Sequence, residues 1–158
     1  MADETERIWV DSMPDAYEKG LVPAVFRPFA VDLARRVSAH GPTRVLELAA
    51  GSGVLTRELV GALPEADVTA TDLNDAMVEL GHRLAPTAEW RQADAMALPF
   101  DDGQFDVVAC QFGVMFFPDK PAAFEEARRV LTADGTLLVS TWAAIDTHDY
   151  QAALVAGL

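Results

Sequence analysis

The chain has 158 residues, 51% of them hydrophobic, and its 12 basic against 25 acidic side chains leave a formal net charge of −13. That length suits one domain with a real core, and the apolar fraction argues against disorder. The acidic balance disfavours phosphate backbones and anionic lipid as partners, although acidity also serves solubility alone.

The first residues, "MADETERIWV", are acidic and lack the apolar centre of a signal peptide, and no run is long enough to span a bilayer. The single cysteine, Cys110, excludes an internal disulfide and suits a reducing compartment, so a soluble cytoplasmic protein is expected. Ala24–Ala39 reads as a helix with Phe26, Phe29, Ala30, Leu33 and Val37 on one face. From Arg44 onward, apolar runs alternate with helical patterns. Strands are predicted over Val45–Leu48, Asp67–Thr71, Glu89–Gln92, Phe105–Gln111 and Thr136–Trp142. Helices are predicted over Val54–Leu63, Asp75–Leu84 and Pro121–Leu131, with Asn74 capping the second and Pro121 opening the third. Repeated β-α-β units predict an α/β, doubly wound Rossmann-like parallel sheet with strand order 3-2-1-4-5.

The first strand-to-helix junction is stripped of bulk: Ala49, Ala50, Gly51, Ser52 and Gly53 carry nothing larger than a serine. Such a turn needs glycine for positive φ, or it leaves bare main chain against a ligand. Doubly wound folds bind ligands at the carboxyl ends of their strands, where this turn lies. Three more carboxyl-end features gather there. Asp72 ends the second strand nineteen positions after Gly53, the distance at which a carboxylate grips a ribose diol, or else it is a helix-start aspartate. Asp94, followed by small Ala95, suits an exocyclic amine or a plain turn. Gln111, Phe112, Gly113 and Met115 bring polar and flat apolar groups beside the glycines, whereas Phe116 and Phe117 read better as core. Together the spacing describes a nucleoside pocket. The third glycine of the dinucleotide fingerprint is replaced by Thr56, and no lysine follows the turn, which favours a ligand without pyrophosphate.

At these residues the sequence resembles the class I S-adenosylmethionine-dependent methyltransferases, in particular their small-molecule branch of the ubiquinone/menaquinone-biosynthesis type. The resemblance runs from about Tyr17 to Trp142. The family's first motif reads here as Glu47, Ala49, Gly51, Gly53, with Ala49 replacing the first glycine. The resemblance implies that Glu47 orders the loop and reaches the cofactor's amino group, while Gly51 and Gly53 lie against the methionine tail. It implies Asp72 on the ribose hydroxyls, Leu73 on the adenine, and Asp94 and the Ala95 amide on the adenine amine and ring nitrogen. Gln111 and Phe112 would line the sulfonium side, and Tyr17 the methionine end. Ahead of the last strand, Leu131-Thr132-Ala133-Asp134-Gly135 lacks the proline of the family's "L-x-P-G-G".

Methyl transfer to a small molecule is therefore expected, with S-adenosylmethionine as cofactor, S-adenosylhomocysteine as product and no metal. No catalytic base stands out among His82, His148, Tyr17 and Asp146, and the scattered histidines give no metal-ligand spacing. The alternatives are a cofactor-binding but catalytically silent regulatory module and a nicotinamide-dependent oxidoreductase. Residues 1–158 are expected to form one domain lacking the last two strands of the family, with a helical segment over 1–40 packing on the cofactor site. "GTLLVSTWA" would then be an apolar edge strand, which either self-associates or is covered in a longer chain.

Overall fold

The computed structural model describes residues 25–143. Its elements in chain order are α1 (Arg27–Ser38), β1 (Arg44–Leu48), α2 (Val54–Ala62), β2 (Asp67–Asp72), α3 (Asp75–Leu84), β3 (Glu89–Gln92), β4 (Phe105–Gln111), a 3-10 turn (Val114–Phe116), α4 (Lys120–Val130) and β5 (Leu131–Ser140). The five strands form one sheet in the order β3-β2-β1-β4-β5, and all four pairings are parallel. This is the expected doubly wound sheet.

Period-two alternation along the central strands builds two cores. Val45 and Val107 face a layer made by Leu33 and Val37 of α1 and by Leu55 and Leu59 of α2. Leu46, Leu48 and Val108 face the opposite layer, with Ala127 and Val130 of α4 and the edge-to-face pair Phe100 and Phe105. Glu47 shares the Val45 face by the same alternation. A carboxylate is thereby carried into the α2 layer, where it is 2% exposed.

The helix boundaries follow local chemistry. The Asn74 side chain accepts the Ala76 N–H at the start of α3, as its residue type predicts. At α4 the helix starts one residue before Pro121. Asp119 is the cap, accepting the Ala122 N–H at 3.0 Å, and Pro121 sits inside the first turn, where its missing N–H costs nothing. The strand prediction for β5 is corrected toward its N-terminus. Leu131 already pairs with Phe105, the register then shifts, and pairing resumes at Thr136 with Val107. The turn-like Thr132–Gly135 stretch is an irregularity within the strand. Phe29, predicted for the buried face of α1, is instead 45% exposed and packs edge-on against the Phe112 and Trp142 rings. No helix among the described residues is long and apolar enough to cross a membrane.

Candidate functional site

The carboxyl ends of β1, β2 and β4 enclose a cavity of about 540 Å³. The turn after β1 makes one wall. Ala49, Gly51 and Gly53 all have positive φ, at 52°, 56° and 83°. The turn is clamped to β2 from three sides: Ala50 N–H donates to the Thr71 carbonyl (2.9 Å), Thr71 Oγ1 donates to the Glu47 carbonyl (2.9 Å), and Gly51 N–H donates to Asp72 Oδ2 (2.8 Å).

The two glycines do different work. A Cβ built on Gly51 would meet nothing within 4 Å, so its main chain borders open cavity. Gly53 is not among the cavity-lining residues, and a Cβ there would lie 2.8 Å from Cζ2 of Trp90. The bare junction thus has two causes: open cavity at Gly51 and close packing against Trp90 at Gly53. Ala49 occupies the left-handed region without a glycine's freedom, at a cost of about 1–2 kcal/mol. Ala49→Gly is expected to stabilise the fold by about 0.5–1 kcal/mol, the relief of strain exceeding the added flexibility of the unfolded chain. Urea denaturation of both proteins checks the sign.

Of the remaining residues singled out from the sequence, Glu47, Ala49, Asp72, Leu73, Asp94, Ala95, Gln111 and Phe112 all line the cavity. Tyr17, His148 and Asp146 lie outside the described residues. His82 is exposed in the last turn of α3 and does not line the cavity. Asp72 also accepts the Asn74 N–H (2.9 Å), so it ties β2, the glycine turn and the start of α3 together rather than capping the helix. Asp94 Oδ1 accepts the Met96 N–H at 2.9 Å, a side-chain turn that fixes its carboxylate beside Ala95. Gln111 Nε2 donates to the Phe26 carbonyl at 3.1 Å.

Glu47 is the most perturbed group in the cavity wall. Burial pushes its pKa up to about 8, helped by the neighbouring Asp72 charge and opposed by the Thr56 hydrogen bond and the Arg57 charge. Thr56 Oγ1 donates to Glu47 Oε2 at 2.6 Å. Thr56 therefore has a positive function that its residue type did not announce: it takes the place of the fingerprint's third glycine and holds the acid of the first motif. Cys110 is no nucleophile, because burial raises its thiol to about 12.

Aromatic residues close the opposite wall. Phe112, at φ 56°, stacks on Trp142 with centroids 4.2 Å apart, and Phe26 meets Phe112 edge-on at 5.7 Å. A bulky residue at positive φ is rare, and these ring contacts hold it there. Phe116, read from the sequence as core, is corrected: it is 79% exposed and lines the cavity mouth. Its place in a 3-10 turn rather than a helix face turns it outward. Phe117 does pack against the α4-side core, while also reaching the cavity. Phe26, Met77, Met96 and Trp142 are lining residues the sequence reading missed, because apolar residues in helices and strand ends look like core. Among the described residues no group of three His, Cys, Asp or Glu side chains is placed to hold a metal.

A doubly wound parallel sheet in this order, with a cavity at its strand ends, defines a Rossmann-like α/β fold. Residues 45–135 match the model of the methyltransferase domain family, and the chain belongs to that family. It is 39% identical over 118 residues to the demethylmenaquinone methyltransferase of Thermus thermophilus, covering 72% of this chain and 52% of that protein. It is 35% identical over 136 residues to the ubiquinone/menaquinone biosynthesis C-methyltransferase UbiE of Ectopseudomonas mendocina, covering 82% of this chain and 52% of that one. The chain spans about half the length of these curated relatives. Among solved structures, the YcgJ protein of Bacillus subtilis superposes with a TM-score of 0.63 at 26% identity, over 78% of this chain and 55% of that one. A SAM-dependent methyltransferase of Aquifex aeolicus, at 18% identity and a TM-score of 0.68, covers 82% of this chain and 72% of that one and shares the fold.

Proposed function

We propose that this chain binds S-adenosylmethionine and serves methyl transfer to a small-molecule acceptor, leaving S-adenosylhomocysteine. One observation carries the reading. The ionisable residues lining the cavity are the acids Glu47, Asp72 and Asp94, with no lysine, arginine or histidine among the described lining residues. Such a lining repels the pyrophosphate of a dinucleotide and complements a sulfonium with an ammonium tail. The fit extends to shape, since the bare Gly51 main chain leaves room where any side chain would intrude.

On this reading Asp72 takes the ribose hydroxyls, Leu73 packs on the adenine, and Asp94 with the Ala95 amide reads its edge. Glu47 and Gly51 face the methionine tail, with Tyr17 at its end, and Gln111 and Phe112 line the sulfonium side. The bound cofactor supplies an electrophilic methyl group for in-line attack. The protein's own contribution is positioning and exclusion of water, the tasks for which the Phe26, Phe112 and Trp142 rings are suited. The names of the curated relatives put a quinol first among acceptors to try. The acidic balance of the chain supports a small-molecule substrate over a nucleic acid or an anionic membrane.

Calorimetry with S-adenosylmethionine, S-adenosylhomocysteine and NAD tests the cofactor. The first two are expected to bind, and binding of NAD alone would overturn the proposal. A turnover assay with quinols, phenols and amines tests catalysis. Tight cofactor binding without turnover on any acceptor would instead support the silent regulatory module.

A further inference from the structure

The three cavity carboxylates are not equivalent. Asp72 accepts main-chain N–H bonds from Gly51 and Asn74, and Asp94 accepts one from Met96. Glu47 is 2% exposed, and the hydrogen bond its carboxyl group accepts comes from the neutral Thr56 hydroxyl. The charged and titratable groups around it are Asp72 at the end of β2, Arg57 of α2 and Cys110 of β4. Arg57 donates through NH1 to the Ser52 carbonyl at 3.1 Å, and its charge favours the ionised form of Glu47 less than burial opposes it. Asp72 adds a like charge, and the Cys110 thiol is neutral. An ionised carboxylate withdrawn from water needs a paired opposite charge or several donors. Among the described residues the donor to the Glu47 carboxyl group is the Thr56 hydroxyl, and the Arg57 charge acts on it more weakly than that hydrogen bond. The neutral acid fits, in agreement with the upward shift that burial imposes on this group. Yet Glu47 also lines the cavity, so an entering cation would bring an opposite charge directly to its carboxyl group.

We propose that Glu47 is protonated in the free protein and releases its proton when the cationic end of a ligand enters the cavity, so that cation binding and proton release are one exchange. The carboxyl O–H bond breaks, the electron pair stays on Glu47, and the proton passes to the solvent buffer. One positive charge enters as another leaves, and the charge of the buried site is unchanged. The acid of the first motif therefore does more than order its loop: it makes cofactor affinity depend on pH. This rests on S-adenosylmethionine being the ligand.

Titration calorimetry with S-adenosylmethionine near pH 6.5, repeated in buffers of different ionisation enthalpy, counts the protons exchanged. At that pH the ligand's own amino group stays charged. The parent protein is expected to release close to one proton per ligand and Glu47→Gln close to none. Affinity of the parent should rise with pH through this region, by up to about tenfold per pH unit. Binding without proton release, or full release retained in Glu47→Gln, would overturn the proposal while leaving the cofactor assignment intact. Failure of S-adenosylmethionine to bind in any buffer would overturn both. Should Glu47→Gln not fold, infrared difference spectra of the parent decide: the carbonyl stretch of a protonated carboxyl must disappear on adding the ligand, and its persistence contradicts the exchange.

Discussion

Asp72→Ala is expected to weaken S-adenosylmethionine binding by on the order of 3 kcal/mol, roughly a hundredfold in Kd. Two losses combine. On the proposed function the carboxylate accepts the ribose hydroxyls, and charge-assisted bonds of that kind are the stronger ones. The structure adds a second loss, because Asp72 also receives the Gly51 and Asn74 N–H groups, which its removal would leave without that partner. The glycine turn would loosen where the ligand is to rest on it. Asp94→Ala should cost less, about 1–2 kcal/mol, since one amine bond is lost and the adenine keeps its apolar contacts. Calorimetry on the folded variants gives both numbers. An Asp72→Ala protein that binds like the parent removes the ribose assignment.

The second large effect concerns stability and pH. In the unfolded chain Glu47 has the ordinary carboxylate value of 4.5, and in the fold it stands at about 8. Between those values the native state holds a proton that the unfolded state has lost, so stability falls as pH rises. The contribution is complete below about 4.5 and gone above about 8, a loss on the order of 5 kcal/mol across the window. Asp106 and Glu126 act in the opposite sense. Hydrogen bonds from Thr43 and Arg129 respectively hold them below their usual range, so their stabilisation is lost as pH falls through those lowered values. Stability should therefore peak in mildly acidic solution. Denaturation midpoints measured from pH 4 to 9 check the curve, and Glu47→Gln should flatten its alkaline side. An alkaline limb equally steep in both proteins would mean that Glu47 is not its source.

Much of this was legible because the fold's own periodicities write it into the sequence. The β-α alternation specified the parallel sheet and its order, and the spacing of Gly51, Asp72 and Asp94 brought three strand ends to one cavity. Single residues carried less. Gly53 and Gly51 look alike in sequence, and only Trp90, reaching in from β3, separates a packing glycine from a cavity-facing one. Thr56 counted as a missing glycine, whereas its hydroxyl holds Glu47. Phe116 read as core because hydrophobicity does not distinguish a helix face from a 3-10 turn that points outward. The start of β5 was hidden by Ala133-Asp134-Gly135, a turn signal that here marks a shift of register.

A structure determined with S-adenosylhomocysteine bound tests the central claim most directly. The account predicts the ligand across the carboxyl ends of β1, β2 and β4, its ribose hydroxyls within hydrogen-bond reach of Asp72, its adenine amine at Asp94 and its amino-acid tail along the Gly51 main chain. A ligand seated elsewhere, or in this cavity with Asp72 bonded to its own turn alone, would contradict it.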